Sequence, residues 1–167
     1  MVDPELERFF RENFAVIRAK CARILGASEE AADVAQEAFV KLWESGATLS
    51  GPAARAAWIY RTCTRLAIDR LRRRRLGIET SAGEEDGGAV HAAAGLAPAD
   101  ELVSARQQLA ALAAQATRPE LEVAILCRVD GLTQSEAADV AGLSERTVRR
   151  LLDRFDARAA ALGRSGP

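Results

Sequence analysis

Residues 132–152 read LTQSEAADVAGLSERTVRRLL and carry two helix-start signals on either side of a glycine. Thr133 lies three residues before Glu136, the spacing at which a hydroxyl and a carboxylate cap each other's backbone amides at the start of a helix. Gly142 stands where the chain must turn between helices with a positive φ, and Ser144 then supplies the second cap. The other positions of the pattern are small or apolar, as two crossing helices require: Ala138, Leu143 and Val148. This spacing predicts a helix-turn-helix.

The second helix of this motif is basic on its predicted outer face. Arginine donates paired hydrogen bonds to guanine edges in the major groove and also binds phosphate oxygens, and the pattern does not tell the two kinds of contact apart. We predict DNA contacts at seven positions, beginning with the cap: Ser144, Glu145, Arg146, Thr147, Arg149, Arg150 and Arg154.

Charge is segregated along the 167 residues, although the net charge is only −1. Residues 53–76 hold eight arginines and one acid, which gives a local charge of +7. Residues 77–101 hold six acids and no lysine or arginine, which gives a local charge of −6. Since charges are screened beyond roughly 8–10 Å at physiological salt, a polyanion such as DNA responds to the local blocks rather than to the total.

Four or five helical segments are predicted before the acidic stretch, and three of them have definite bounds. Residues 6–25 place apolar side chains at helical spacing and stop at Gly26. Ser28 is positioned to cap the next helix, which runs to about Glu44 and carries one apolar stripe. After a loop marked by glycine and proline, a long helix spans residues 53–75.

The long helix has two different faces. Its apolar stripe consists of five residues: Ile59, Cys63, Leu66, Ala67 and Leu71. Arg61, Arg65 and Arg72 fall together on the opposite face. The four consecutive arginines 72–75 repel one another unless an anion is near, which favours phosphate contact over a merely solvated face. Trp58 projects near the arginine face, and stacking on bases and packing in a core both remain open for it.

The sequence therefore predicts an all-α fold of two small helical domains joined by a flexible acidic linker. Residues 77–99 are rich in glycine, alanine and acids and lack periodicity, which is typical of a linker. The predicted divisions are a first domain over residues 1–76, the linker over 77–99, a second domain over 100–163 and a frayed tail over 164–167.

Several classes of protein are disfavoured by what the sequence lacks. No run of about 18 apolar residues is present, and the first residues do not resemble a signal peptide, so we expect a cytoplasmic protein without membrane insertion. Cys21, Cys63 and Cys127 are widely spaced in apolar stretches and are expected to be buried thiols rather than metal ligands. The motifs of phosphate loops, activated nucleophiles and metal sites are absent, so we expect no enzyme activity, no cofactor and no metal.

Three segments match one family pattern in order along the chain. Residues 33–43, DVAQEAFVKLW, are similar to the signature DVVQETFLRLW. Residues 57–72, AWIYRTCTRLAIDRLR, are similar to AWLYRIARNLAIDRLR. Residues 121–132 lead into the helix-turn-helix in a way that is similar to REVFLLREVEGLSYEEIAEILGIS. Over residues 5–76 and 100–162 the chain thus resembles bacterial sigma factors of the extracytoplasmic-function (ECF) group.

The resemblance implies a protein that binds core RNA polymerase and directs promoter-specific initiation. It implies docking of the second helix on the clamp helices of the largest polymerase subunit through four residues: Asp33, Gln36, Glu37 and Lys41. It implies that −10 promoter DNA is read and opened by the 46–54 loop and by six residues of the arginine helix: Trp58, Arg61, Arg65, Asp69, Arg72 and Arg73. The helix-turn-helix would bind the −35 element of promoter DNA, and an anti-sigma factor is a possible further partner.

The chain departs from the family pattern at a few positions. Arg65 stands where the family usually has asparagine, and Arg55 stands where an aromatic residue is common. Leu151, Asp153 and Asp156 replace residues that are often basic, which predicts weaker attraction to phosphates at the −35 end.

Two other classes of protein remain open on the sequence. A stand-alone regulator would use the helix-turn-helix, dimerise through the N-terminal helices and bind a palindromic site without polymerase. A protein-binding module, such as a sigma mimic or an anti-sigma protein, would sequester a partner without touching DNA. The polar face with Asp33, Gln36 and Glu37 and the four consecutive arginines favour the polymerase subunit over both.

Overall fold

A computed structural model describes residues 4–26, 29–45, 49, 51–75 and 109–164. The main helices of these ranges are α1 (Pro4–Leu25), α2 (Glu29–Glu44), α3 (Pro52–Arg75), α4 (Arg118–Ala124), α5 (Gln134–Ala141) and α6 (Glu145–Arg164). Residues 109–113 are also helical, and α4 continues as a π-helical turn, Ile125–Val129.

The described ranges consist of helices, turns and bends without a strand, which confirms the all-α prediction for that part of the chain. None of the helices in these ranges is long and apolar enough to span a membrane. Several predicted features lie outside the described residues: the cap Ser28, most of the 46–50 loop, the linker over 77–99, residues 100–108 and the tail over 165–167.

The first domain is a bundle of α1, α2 and α3, and its buried apolar residues belong to one hydrophobic cluster that also includes those of the second domain. Phe10 and Phe39 anchor its aromatic part, with ring centroids 5.0 Å apart and ring planes at 84°. The residues that α3 buries there are Ile59, Cys63, Ala67, Ile68 and Leu71. The predicted stripe of α3 is thus confirmed except at Leu66, which is only partly buried, whereas Ile68 is fully enclosed.

Local signals set the ends of these helices. Gly26 has a φ of 99°, and its amide donates to the carbonyl of Ala22 at 2.8 Å, so that α1 ends where the sequence predicts. Pro52 opens α3 because its fixed φ suits the first turn and its missing amide proton costs no helical hydrogen bond there. The bounds predicted for these three helices agree with the observed ones to within two residues, whereas the expectation of four or five helical segments is not met by the described residues before position 76.

The second domain packs α4, α5 and α6 together, and α4 runs directly into the π-helical turn. In that turn the amide of Asp130 donates to the carbonyl of Ile125, five residues earlier, at 3.0 Å. Gly131, with a φ of 73°, then redirects the chain toward α5. The core side chains of the domain are Leu121, Val123, Ile125, Leu126, Ala137, Val148, Leu152 and Phe155.

The helices α5 and α6 form the predicted helix-turn-helix. The hydroxyl of Thr133 accepts from the amide of Glu136 at 3.2 Å, and the Glu136 carboxylate accepts from the Thr133 amide at 2.8 Å. The hydrogen bond from the Thr133 backbone, and to a smaller extent that from the Thr133 side chain, lowers the pKa of Glu136. Gly142 has a φ of 68°, and Ser144 Oγ accepts from the amide of Thr147 at 3.2 Å. Both caps and the glycine turn are therefore confirmed.

The two domains lie against each other. In this arrangement α3 packs on α4 and α5, and α1 packs on the π-helical turn. The sequence left the relative position of the domains open, so this contact is a finding of the structure.

Candidate DNA and polymerase interfaces

The helix α6 presents its basic side to solvent. Six of the seven predicted DNA-contacting residues are exposed, and Thr147 is half-buried; the exposed ones are Ser144, Glu145, Arg146, Arg149, Arg150 and Arg154. The opposite side of the helix is buried in the domain core through Val148, Leu151, Leu152 and Phe155. Several guanidinium groups thus share one exposed helix side, which is the arrangement that recognition helices use in a major groove.

The structure gives a reason for one departure from the family pattern at this helix. Leu151 is only 7% exposed, so a basic side chain at that position would lose water without reaching DNA. Asp156 pairs with Arg128 in the π-helical turn, whereas Asp153 is exposed. Leu143, in the turn of the motif, is 38% exposed although it is apolar.

The predicted polymerase-binding residues lie together on α2. Asp33, Gln36 and Lys41 are exposed. Glu37 is half-buried, with one carboxylate oxygen 3.7 Å from the Lys41 ammonium and the other 3.8 Å from the Arg70 guanidinium. One helix therefore carries all four residues, with charges of both signs beside an amide.

An apolar groove next to Gln36 was not assigned from the sequence. Besides Gln36 it is lined by Phe10, Phe39, Val40 and Trp43, and its volume is about 240 Å³. Val40 is 44% exposed and Trp43 is 40% exposed, although both are large and apolar. Positions 36, 40 and 43 follow one another at helical spacing, so a helical projection that included apolar residues outside the core stripe would have found this surface.

The arginine face of α3 lies against the second domain. Arg65 Nε is 3.1 and 3.0 Å from the two carboxylate oxygens of Glu122 on α4, while 44% of the Arg65 side chain stays exposed. One turn further along α3, Asp69 pairs with Arg118 at the start of α4. Two of the residues predicted to contact −10 DNA are thus engaged by α4.

Arg72 and Arg61 extend this contact in both directions along α3. Arg72 donates from Nε to the carbonyl of Ala113 at 3.1 Å and from Nη2 to the carbonyl of Ala116 at 2.8 Å. Arg61 Nη1 lies 3.2 Å from the position that a Cβ atom on Gly142 would occupy. The turn of the helix-turn-helix therefore approaches α3 closely, and a side chain at position 142 would press on this guanidinium.

Two of the six residues predicted to contact −10 DNA, Trp58 and Arg73, differ from the four described above in their surroundings. Trp58 is half-buried and packs against the core of the first domain, in line with the core-packing alternative. Arg73 is exposed. The assignment of all six residues to −10 DNA stays a prediction.

A buried group of charges joins the two domains. Lys20 of α1 is fully buried and pairs with Asp130, whose side chain is also fully buried. Arg23 Nη2 donates to the other carboxylate oxygen of Asp130 at 3.0 Å. The Lys20 ammonium also lies 4.3 Å from the centroid of the Tyr60 ring, and burial, followed by the charge of Asp130, raises the pKa of Tyr60. One carboxylate of the second domain thus neutralises two cations of the first.

This group was not predicted from the sequence, although α1 carries a signal of it. Lys20 falls between Ile17 and Ile24 in the apolar stripe of the helix, where a lysine needs an internal partner. Cys21 and Cys63 lie beside it, and both are fully buried, as predicted. Their mutual hydrogen bond and burial raise the pKa of Cys21. Cys127, in contrast, is half-buried.

Comparison with known families agrees with this architecture. The family described as Sigma-70 region 2 matches residues 9–76, and the family described as Homeodomain-like domain matches residues 102–163. The first match covers α1 from residue 9 onward together with α2 and α3, and the second covers the helix-turn-helix.

Three relatives are sigma factors by name. The probable RNA polymerase sigma factor RfaY of Xanthomonas campestris pv. campestris is 31% identical over 134 residues, 79% of this chain and 33% of that protein. The ECF RNA polymerase sigma factor SigW of Bacillus subtilis is 38% identical over 55 residues, 33% of this chain and 29% of that protein. The RNA polymerase sigma factor CnrH of Cupriavidus metallidurans is 31% identical over 155 residues, 88% of this chain and 81% of that protein.

The chain thus spans about a third of RfaY and of SigW but most of CnrH. The solved structure of CnrH in complex with the cytosolic domain of CnrY has a TM-score of 0.59 and 24% identity, and the match covers 97% of this chain and 89% of that chain. This likeness shows a shared fold. Together with the long CnrH sequence match, it confirms the resemblance seen in the sequence: the chain belongs to the RNA polymerase sigma factors of the extracytoplasmic-function type.

Proposed function

We propose that this protein binds core RNA polymerase and directs initiation at promoters of defined sequence, acting in the bacterial cytoplasm and without catalytic activity of its own. One observation carries the proposal. A chain of the sigma factor family exposes an arginine-rich recognition helix on one domain and a polar face with an apolar groove on the other. A promoter-specific polymerase subunit needs one surface for DNA and another for the enzyme.

The −35 element is the proposed ligand of α6. Its arginines are exposed, and we propose that they donate to guanine edges while Ser144 and Thr147 at its start contact phosphates. The exposed Asp153 on the same helix reduces the attraction to phosphates. We therefore propose moderate affinity for −35 DNA, with base contacts contributing much of the discrimination.

The clamp helices of the largest polymerase subunit are the proposed ligand of α2. Asp33, Gln36, Glu37 and Lys41 supply charged and hydrogen-bonding groups on one side of this helix. The groove formed with Val40 and Trp43 supplies an apolar centre, which protein interfaces commonly surround with a polar rim. We propose that the groove and the four predicted residues form a single docking surface.

Two further interactions belong to the proposal. The arginine helix α3 is the proposed site for −10 DNA, through the six predicted residues from Trp58 to Arg73. The proposed domain division, with a first domain over 1–76 and a second over 100–163, separates the two promoter contacts.

CnrH was solved in complex with the cytosolic domain of CnrY, which supports an anti-sigma protein as a regulatory partner of this chain.

Run-off transcription with core polymerase from the source organism and a genomic promoter library tests the proposal. We expect transcripts with defined start sites only when this protein and the core enzyme are both present. Controls contain the protein alone and the core enzyme alone. A chain that fails to associate with the core enzyme would contradict the proposal. Tight binding to a palindromic site without polymerase would instead indicate the stand-alone regulator.

A further inference from the structure

We propose that the second domain is an intramolecular partner of α3: it occupies the arginine face that −10 DNA would use and leaves the recognition helix open. The inference rests on the proposed function, since that function assigns −10 DNA to α3. In this closed state one DNA-binding surface of the chain is covered by the other domain while the second surface is exposed.

The groups that bind Arg65 and Arg72 are oxygen acceptors, as are the phosphates of a DNA backbone. Arg65 binds both carboxylate oxygens of Glu122, and Arg72 binds the carbonyl oxygens of Ala113 and Ala116. Carbonyls at the end of a helical segment carry partial negative charge. The arginines thus meet in their own chain the kind of oxygen acceptors that a DNA strand would offer, so the two ligands compete for the same donors.

The buried charge group fixes the position of the second domain. Asp130 accepts from Lys20 and Arg23 of α1, and both the Lys20 and the Asp130 side chains are without solvent exposure. A buried charge without its partner is strongly unfavourable, so the closed arrangement is specific to the position in which Asp130 reaches these cations. The contact lies on α1 and therefore locks the domain without itself occupying α3.

The polar pairs favour a reversible contact, although the buried apolar residues of the two domains belong to one hydrophobic cluster. The interdomain pairs named above are charged or hydrogen-bonded groups, which water or a competing anion can satisfy after the domains separate. Buried ion pairs contribute little net stability compared with apolar groups of similar size, because hydration of the separated charges offsets their attraction. Docking on polymerase and capture of α3 by DNA phosphates are therefore able to open the chain.

Three variants of the full chain test the closed state. Asp130→Asn removes the carboxylate that neutralises two cations across the contact. Asp156→Asn is the matched control, because it removes the same charge from the second domain but its partner, Arg128, belongs to that domain. Glu122→Gln weakens the ion pair with Arg65 and leaves the buried charges intact. It is the alternative variant if circular dichroism shows that Asp130→Asn does not fold.

Two readouts are measured without polymerase. The first is the radius of gyration by small-angle X-ray scattering, where a compact chain of this length gives about 15 Å. The second is the affinity for a fluorescent 20-nucleotide oligo(dT), a sequence-independent probe of the arginine face. We expect Asp130→Asn to raise the radius and to tighten oligo(dT) binding by about tenfold, because binding gains as the competent state becomes more populated. Glu122→Gln should also raise the radius of gyration and the oligo(dT) affinity. Asp156→Asn should leave the radius unchanged and should alter the affinity only as far as the loss of one negative charge does.

An extended wild-type chain, or folded Asp130→Asn and Glu122→Gln variants with wild-type radius and oligo(dT) affinity, would overturn the inference. Both readouts are independent of the promoter assay. If these variants open the chain but the wild-type protein fails in run-off transcription, the proposed function is rejected, whereas the intramolecular contact is still supported.

Discussion

Arg150 is exposed on α6, two residues after Val148 enters the core of the second domain. If its guanidinium reads a guanine, Arg150→Ala should weaken binding to the −35 element by roughly 1–3 kcal/mol, the usual contribution of a paired arginine contact to base discrimination. Fluorescence anisotropy on a duplex taken from a mapped promoter measures the change.

Arg8→Ala provides the matched control for this charge, since Arg8 is an exposed arginine on α1 of the other domain. A comparable loss on every DNA sequence would assign Arg150 to phosphate instead of a base. Unchanged affinity for the mapped promoter would remove Arg150 from the DNA interface altogether.

Gly142 and Gly163 provide a second comparison between single residues. Gly142 has a positive φ, and an added Cβ would meet the Arg61 guanidinium at 3.2 Å, whereas Gly163 is helical with nothing within 4 Å. We expect Gly142→Ala to destabilise the protein by about 1–2 kcal/mol through left-handed strain. Gly163→Ala should be neutral or stabilising by up to about 1 kcal/mol. Urea unfolding measures both, and equal midpoints for the two variants would show that the turn tolerates a side chain.

At the scale of elements, α2 has one face in the core and another with the proposed polymerase contacts. Asp33 is exposed on the outer face, so Asp33→Lys should abolish association with core polymerase while the helix content and the unfolding midpoint stay unchanged. A pull-down with the core enzyme, backed by circular dichroism, measures both properties. Asp153→Lys reverses the charge of an exposed acid in the other domain and should leave the association intact. Wild-type recovery of polymerase with Asp33→Lys would exclude α2 as the docking helix.

Elements are also the scale at which the sequence was most informative. The ends of α1, α5 and α6 follow from Gly26, from the Thr133–Glu136 box and from Ser144, because each signal acts through hydrogen bonds within a few residues. The π-helical turn before Asp130 escaped prediction, since one additional residue in a helical turn leaves no clear mark on apolar periodicity. The apolar groove was missed because the core stripe alone was traced along α2.

At the scale of the whole molecule, the sequence predicted the charges of the interface but not their partners. The arginine face of α3 was correctly placed opposite the apolar stripe, yet Arg65 meets Glu122, 57 residues away. Lys20 and Asp130 are separated by 110 residues. Helical periodicity reports which side of an element is polar, and it carries no information on which distant acid will neutralise that side. For this reason the DNA-facing prediction for α3 did not anticipate the second domain.

The coupling between the domains leads to a prediction about cooperativity. Lys20 and Asp130 are buried only while the two domains lie against each other, so unfolding of either domain also removes the interdomain contacts of the other. The wild-type chain should therefore unfold in one calorimetric transition, because partly unfolded states are penalised. Asp130→Asn removes the penalty and should split the transition in two.

Asp156→Asn removes one negative charge from the second domain, as Asp130→Asn does. It should shift one transition without splitting it, since the ion pair of Asp156 with Arg128 does not cross the contact. Two transitions in the wild-type chain would mean that the domains unfold independently. The Lys20–Asp130 pair would then add no coupling between them. A single transition retained by the folded Asp130→Asn variant would show that the contacts of α3 with α4 and α5 couple the domains without this carboxylate.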